Sequence, residues 1–106
     1  MPLTREYKQT IVERVQRDPL FARALLDEAA TLFLNGEPDV ARIVLRDLVN
    51  ATVGFEYLAK TISKPSKSLH RMLSVTGNPS MDNLALIFGE IRAQLNVGIV
   101  AQTIAV

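Results

Sequence analysis

The sequence predicts an all-α fold, one domain of about six helices. Three observations lead there. Apolar residues recur every three or four positions through nearly the whole chain, the period of a helix packed along one face. Prolines and Asn/Gly clusters fall between the periodic runs, at Asp18-Pro19, Asn35-Gly36, Lys64-Pro65 and Gly77-Asn78-Pro79. At 106 residues, 48% hydrophobic and 22% charged, the chain can close one core but has little room for a second module.

From Leu3, the apolar positions Tyr7, Ile11 and Val15 repeat at four-residue spacing and line one stripe of a first helix ending near Arg17. Asp18 is a good N-cap and Pro19 suits a first helical position, so a second helix starts there and buries Phe21, Ala24, Leu25, Ala29, Leu32 and Phe33. Asn35-Gly36 stops it, because this pair tolerates left-handed backbone. Pro38 opens a third helix, with Glu37 and Asp39 at its positive end and Val40, Ile43, Val44 and Leu48 on its inner face. The two helices joined by NGEP form a hairpin. Its small residues Ala29, Ala30 and Ala41 resemble half of a tetratricopeptide-type unit, but no second copy follows at a period near ~34 residues, so it reads as a packing hairpin beneath another module.

Residues 54–74, GFEYLAKTISKPSKSLHRMLS, carry the parts of a helix-turn-helix in order. Leu58 and Ile62 share a face, Ala59 is small where a second helix would touch, and Leu69 and Met72 supply the facing stripe. Ser63-Lys64-Pro65 makes the turn, because the residue before a proline is driven out of the α region. The next helix therefore begins at Pro65 or Ser66. With Leu69, Met72 and Leu73 inward, Ser66, Lys67, His70, Arg71 and Ser74 point wholly or partly outward.

The charge pattern gives that face a meaning. Residues 1–56 carry seven Lys/Arg against nine Asp/Glu, residues 57–81 carry four against none, and residues 82–106 carry one against two. Lys60, Lys64, Lys67 and Arg71 thus form an uncompensated basic window that also contains His70. A solvated face is one reading of such a run, and a phosphate-facing patch is the other. On the second reading Arg71 grips a guanine edge, and Ser66 and His70 give or take a hydrogen bond at a base or phosphate. Lys60, Lys64 and Lys67 hold backbone, which positions without specifying. Ser66 is equally readable as a helix cap.

Other function classes find little support. The chain has no cysteine, so disulfides, thiolate metal sites and thiol catalysis are out, and a reducing cytoplasm is compatible. His70 is the only histidine, and the nearest carboxylates in sequence are Glu56 and Asp82. That spacing supports neither a metal site nor a triad. There is no glycine-rich phosphate loop, so no enzymatic activity, cofactor or metal is expected. The first ten residues, MPLTREYKQT, are polar where a secretory signal needs an apolar core, and no run approaches the ~20 apolar residues of a membrane span. A soluble, cytoplasmic protein is expected.

Phe55-Glu56-x-Leu58-Ala59, the segment Ser-Lys-Pro-Ser-Lys-Ser-Leu-His-Arg-Met-Leu, and Gly77-Asn78-Pro79-Ser80-Met81-Asp82-Asn83-Leu84 together resemble helix-turn-helix regulators of the repressor/Cro class. More narrowly, LSVTGNPSMDNL is similar to the addiction-module antidote proteins, antitoxins of the HigA type. The resemblance covers residues 52–97. It implies a dimeric transcriptional repressor that binds double-stranded operator DNA at its own promoter and neutralises a RelE-like toxin. Two positions depart from the family pattern: Ser63 stands where such turns have glycine, and Lys64 where they have an apolar residue. A tighter or differently shaped turn is therefore expected.

After the motif, Gly77-Asn78-Pro79 is a turn cluster, Ser80 a cap, and Asp82 lies in a favourable first turn. Asn78 and Ser80 can also touch phosphate in family fashion. A last helix presents Leu84, Ile87, Phe88, Ile91 and Leu95 to the core. The chain divides into N-terminal helices (1–51), the helix-turn-helix region (52–97) and an apolar C-terminal tail (98–106). The tail has no charge and many β-branched residues, so it either packs back on its own domain or adds to a partner as a strand or clip. A non-enzymatic protein-interaction module, using the hairpin and the tail, is the alternative function.

Overall fold

Residues 5–106 are described by the computed structural model, with side chains from Gln9 onward. Among them the chain forms six helices and no strand: α1 (Arg5–Arg17), α2 (Pro19–Leu34), α3 (Pro38–Ala51), α4 (Phe55–Ile62), α5 (Ser66–Met72) and α6 (Met81–Leu95). The all-α architecture expected from the period of the apolar residues is thus the one observed. Local chemistry explains the boundaries. The Asp18 carboxylate accepts a hydrogen bond from the Leu20 amide at 3.1 Å and Pro19 opens α2. Gly36, at φ 83°, turns the chain out of α2 in a conformation that a side chain at Cβ disfavours. The Ser80 hydroxyl accepts from the Asn83 amide at 3.1 Å and caps α6.

The hairpin of α2 and α3 is the platform, with α1 packed across both, and α6 joins α4 to α2. Phe33 of α2 meets Phe88 of α6 edge to face, ring centres 6.0 Å apart. One continuous core runs from Val15 through Leu26, Leu45 and Leu48 to Leu58, Leu69, Leu73, Ile87 and Ile91. Ile11 packs half-buried against Val15's side of that core, whereas Leu3 and the Tyr7 side chain lie outside the described residues.

Two inner faces differ from expectation. In α2 the fully buried residues are Ala22, Leu26 and Ala29, while Ala24 is exposed and Phe21, Leu25, Leu32 and Phe33 are only half-buried. Apolar residues lie almost all round α2, so its own sequence leaves the buried side ambiguous, and contact with α3 selects it. In α3 the buried row is Ala41, Arg42, Leu45, Leu48 and Val49, and Val40 is exposed. The chain after α6 is divided: Val97 and Ile99 pack against the core, and Val100 onward is exposed.

Candidate nucleic-acid interface

The α4–turn–α5 unit is set by apolar contacts beneath it. Phe55 and Leu58 of α4 and Leu69 and Leu73 at α5 are all buried, with Ala59, Ile62 and Met72 packed around them. Ser63 adopts left-handed backbone, φ 56° and ψ 45°, and the Lys64 amide reaches the Ala59 carbonyl at 3.1 Å. Serine takes up the left-handed geometry, at a cost of roughly 1–2 kcal/mol for an L-residue. Pro65, extended at ψ 138°, occupies the N-cap position of α5, and Ser66 is the first helical residue. Ser66 is thus not the cap, and no side-chain capping bond is made there.

Lys67, His70 and Arg71 are exposed on α5, Ser66 is half-buried, and Ser74 lies half-buried just beyond the helix with its hydroxyl donating to the Arg71 carbonyl at 2.8 Å. Lys60 is exposed in the last turn of α4, Lys64 is half-buried in the turn, and Asn78 is exposed in the loop before α6. Among the described residues no carboxylate pairs with Lys60, Lys64, Lys67 or Arg71; the ion pair present joins Arg14 to Asp18 on the other side of the sequence. Their charge therefore stays available to an outside anion.

His70 differs from its neighbours. Its ring lies flat on Phe55, centroids 3.9 Å apart and planes 20° from parallel, and it borders a pocket of mixed lining with Ile11 and Val12 of α1 and Arg46, Asp47 and Asn50 of α3. On the α5 wheel it stands about 100° from Leu69, at the flank, whereas Lys67 and Arg71 stand opposite the buried stripe. One side chain escaped sequence reasoning here. Tyr57 is exposed on α4 and falls at helical spacing with Lys60 and Thr61, so a phenol able to bond phosphate joins the basic face. An exposed aromatic three residues before a lysine was the available signal.

Two residues hold α5 at its far end. Arg42 of α3, only 9% exposed, donates from Nε to the Ser74 carbonyl at 2.9 Å and from Nη2 to the Val75 carbonyl at 2.6 Å. A cation is favourable at the negative end of a helix, and here it also bonds two carbonyls of the loop just beyond α5. Gly77 closes the same loop through its amide to the Ser74 carbonyl. A Cβ at this position would sit 2.5 Å from the Arg71 carbonyl oxygen and closer still to that of Met72. Arg42 carried no signal in the sequence, since a mid-helix arginine looks ordinary there; the Gly77-Asn78-Pro79 cluster marked the turn but not the close approach to α5.

Among the described residues no cluster of three His, Asp or Glu side chains converges as a metal site, and no helix is long and apolar enough to cross a membrane. Comparison of the chain with protein-family models, with curated proteins and with solved structures finds no match.

Proposed function

We propose that this protein is a sequence-specific, double-stranded-DNA-binding repressor that acts through α5. The observation that carries the reading is the outward pair Lys67 and Arg71, unpaired with any carboxylate and held on a short helix whose other face is buried at Leu69 and Leu73. A seven-residue helix of this kind fits a major groove, with Arg71 facing base edges and Lys60, Lys64, Lys67 and Tyr57 facing phosphates. Ser66, Ser74 and Asn78 stand close enough in sequence to that face to serve as lesser contacts, and His70 serves at its flank.

The resemblance of LSVTGNPSMDNL to the HigA-type antidotes supports the narrower reading of a cytoplasmic, homodimeric, non-enzymatic antitoxin that represses its own promoter and neutralises a RelE-like toxin. The test of DNA reading is titration of the purified chain against its own upstream DNA at rising salt. A specific shift whose log affinity falls with log salt by ~0.9 per phosphate neutralised is expected. Equal affinity for unrelated duplex at every salt concentration overturns it.

A protein-interaction reading has its own observation. An apolar pocket of about 400 Å³ lies between the hairpin and α6, lined by Phe33, Leu34, Met81, Phe88 and Ile99. Specific DNA binding by the isolated chain separates the two readings, because an interaction module alone gives none.

A further inference from the structure

The arm formed by residues 97–106 is incompletely accounted for by its own chain. Val97 and Ile99 rest on the core, but from Val100 onward every residue is exposed, and Val100 and Ile104 retain 91% and 80% of their surface. The arm runs on without helix, turn or bend, and no hydrogen bond engages the backbone of residues 98–106. Uncharged, rich in Val and Ile, and with the amides and carbonyls of residues 98–106 unbonded among the described residues, it has the chemistry of a strand edge that takes a partner.

Its sequence indicates which partner. Val100-Ala101-Gln102-Thr103-Ile104-Ala105-Val106 reads nearly the same in both directions. A contact about a twofold axis sets each residue against its mirror position in the other copy. We propose that residues 100–106 pair antiparallel with the same residues of a second copy of this chain, about an axis at Thr103. Val100 then faces the partner's Val106, Ala101 the partner's Ala105, Gln102 the partner's Ile104, and Thr103 the partner's Thr103. Cross-strand Val–Val and Thr–Thr pairs are favourable, and an uncharged arm meets no like charge in its own copy. The alternation of side chains puts Ala101, Thr103 and Ala105 on one face and Val100, Gln102, Ile104 and Val106 on the other.

The neighbouring surface anchors the start of the arm. Ile99 lines the apolar pocket with Phe33, Phe88 and the exposed Leu34 and Met81. With Ile99 turned to that pocket, the alternation places Ala101, Thr103 and Ala105 on the pocket's side of the arm and the Val100, Ile104 and Val106 row on the other. The arm and its partner stand on their own chemistry; that the pair sets the spacing of two DNA half-sites rests on the DNA-binding reading above.

Sedimentation of the full chain without DNA tests the proposal. A dimer is expected, and a chain stopped after Ile99 should be monomeric with an unchanged helical spectrum. Should that chain fail to fold, Ile104→Lys in the full chain should weaken dimerisation by about tenfold or more. Because the chain has no cysteine, the register can be read directly. Thr103→Cys should cross-link to itself under mild oxidation, while Val100→Cys should cross-link only when mixed with Val106→Cys. A monomeric full chain, a dimer that survives loss of residues 100–106, or self-linking by Val100→Cys equal to that of Thr103→Cys overturns the arm. A monomer that still shifts its upstream DNA fails this proposal and leaves the DNA reading standing; a dimer that binds no DNA does the reverse.

Discussion

Arg42 of α3 holds the carbonyl of Ser74, 32 residues away, at 2.9 Å, and so ties the hairpin to the end of the helix that presents Lys67 and Arg71. With the second bond to Val75 at 2.6 Å, one buried guanidinium holds the loop that leaves α5. This contact makes the hairpin a support for the basic face and gives its fold a bearing on binding.

Arg42→Met keeps the apolar stem but strands the Val75 carbonyl and leaves that of Ser74 with the Gly77 amide alone. A hydrogen bond to a charged group contributes about 1.5–3 kcal/mol, so a loss of roughly 2–3 kcal/mol is expected in urea unfolding. Arg42→Lys should recover only part of it, because one ammonium cannot reproduce the fork that reaches both oxygens. Full stability in Arg42→Met would show that the two bonds are incidental.

Gly77→Ala should be costly for a different reason. The added Cβ meets the backbone oxygens of Arg71 and Met72, which belong to α5 itself and cannot swing aside. Overpacking of this kind costs about 1–3 kcal/mol, which lowers the melting temperature of a domain this size by roughly 10 °C. A melting curve that overlays the parent's would mean that the loop relaxes freely.

Ser63→Gly should stabilise. The left-handed turn strains serine by roughly 1–2 kcal/mol, and glycine gives back roughly 0.5–1 kcal/mol in lost chain entropy, so a net gain of about 0.5–1 kcal/mol is expected in thermal or urea unfolding. Ser63→Val should lose stability, since a β-branched residue tolerates that backbone least.

Arg71→Ala and Lys60→Ala should separate reading from holding. Losing Arg71 should cost about 1–3 kcal/mol on the preferred operator and flatten preference at one base pair. Losing Lys60 should weaken all sequences alike and reduce the log-salt slope by ~0.9. Identical loss on specific and random duplex for Arg71→Ala would place it among the phosphate grips. Both side chains are exposed, so neither change should alter folding.

The number of helices, their order and nearly all their ends were legible in the sequence, because ends are local. Asp18 and Ser80 cap the amides two or three residues on, Pro19, Pro38 and Pro65 cannot sit mid-helix, and Gly36 turns the chain without help from elsewhere. The outward placement of Lys67 and Arg71 was legible for the same reason, since Leu69 and Leu73 determine the wheel of a helix only seven residues long.

What tertiary structure decided lies where the local signal is degenerate or the partner is remote. In α2 apolar residues surround the axis, and only contact with α3 selects Ala22, Leu26 and Ala29 over Ala24. Arg42 looks like a surface arginine until Ser74 and Val75 arrive from 32 and 33 residues away. His70 belongs to the outward set on the wheel, yet Phe55 takes one face of its ring. Helix boundaries arise from hydrogen bonds within a few residues and so are written in sequence. Burial and long-range capping depend on which surfaces meet, and that is settled only when the whole core closes.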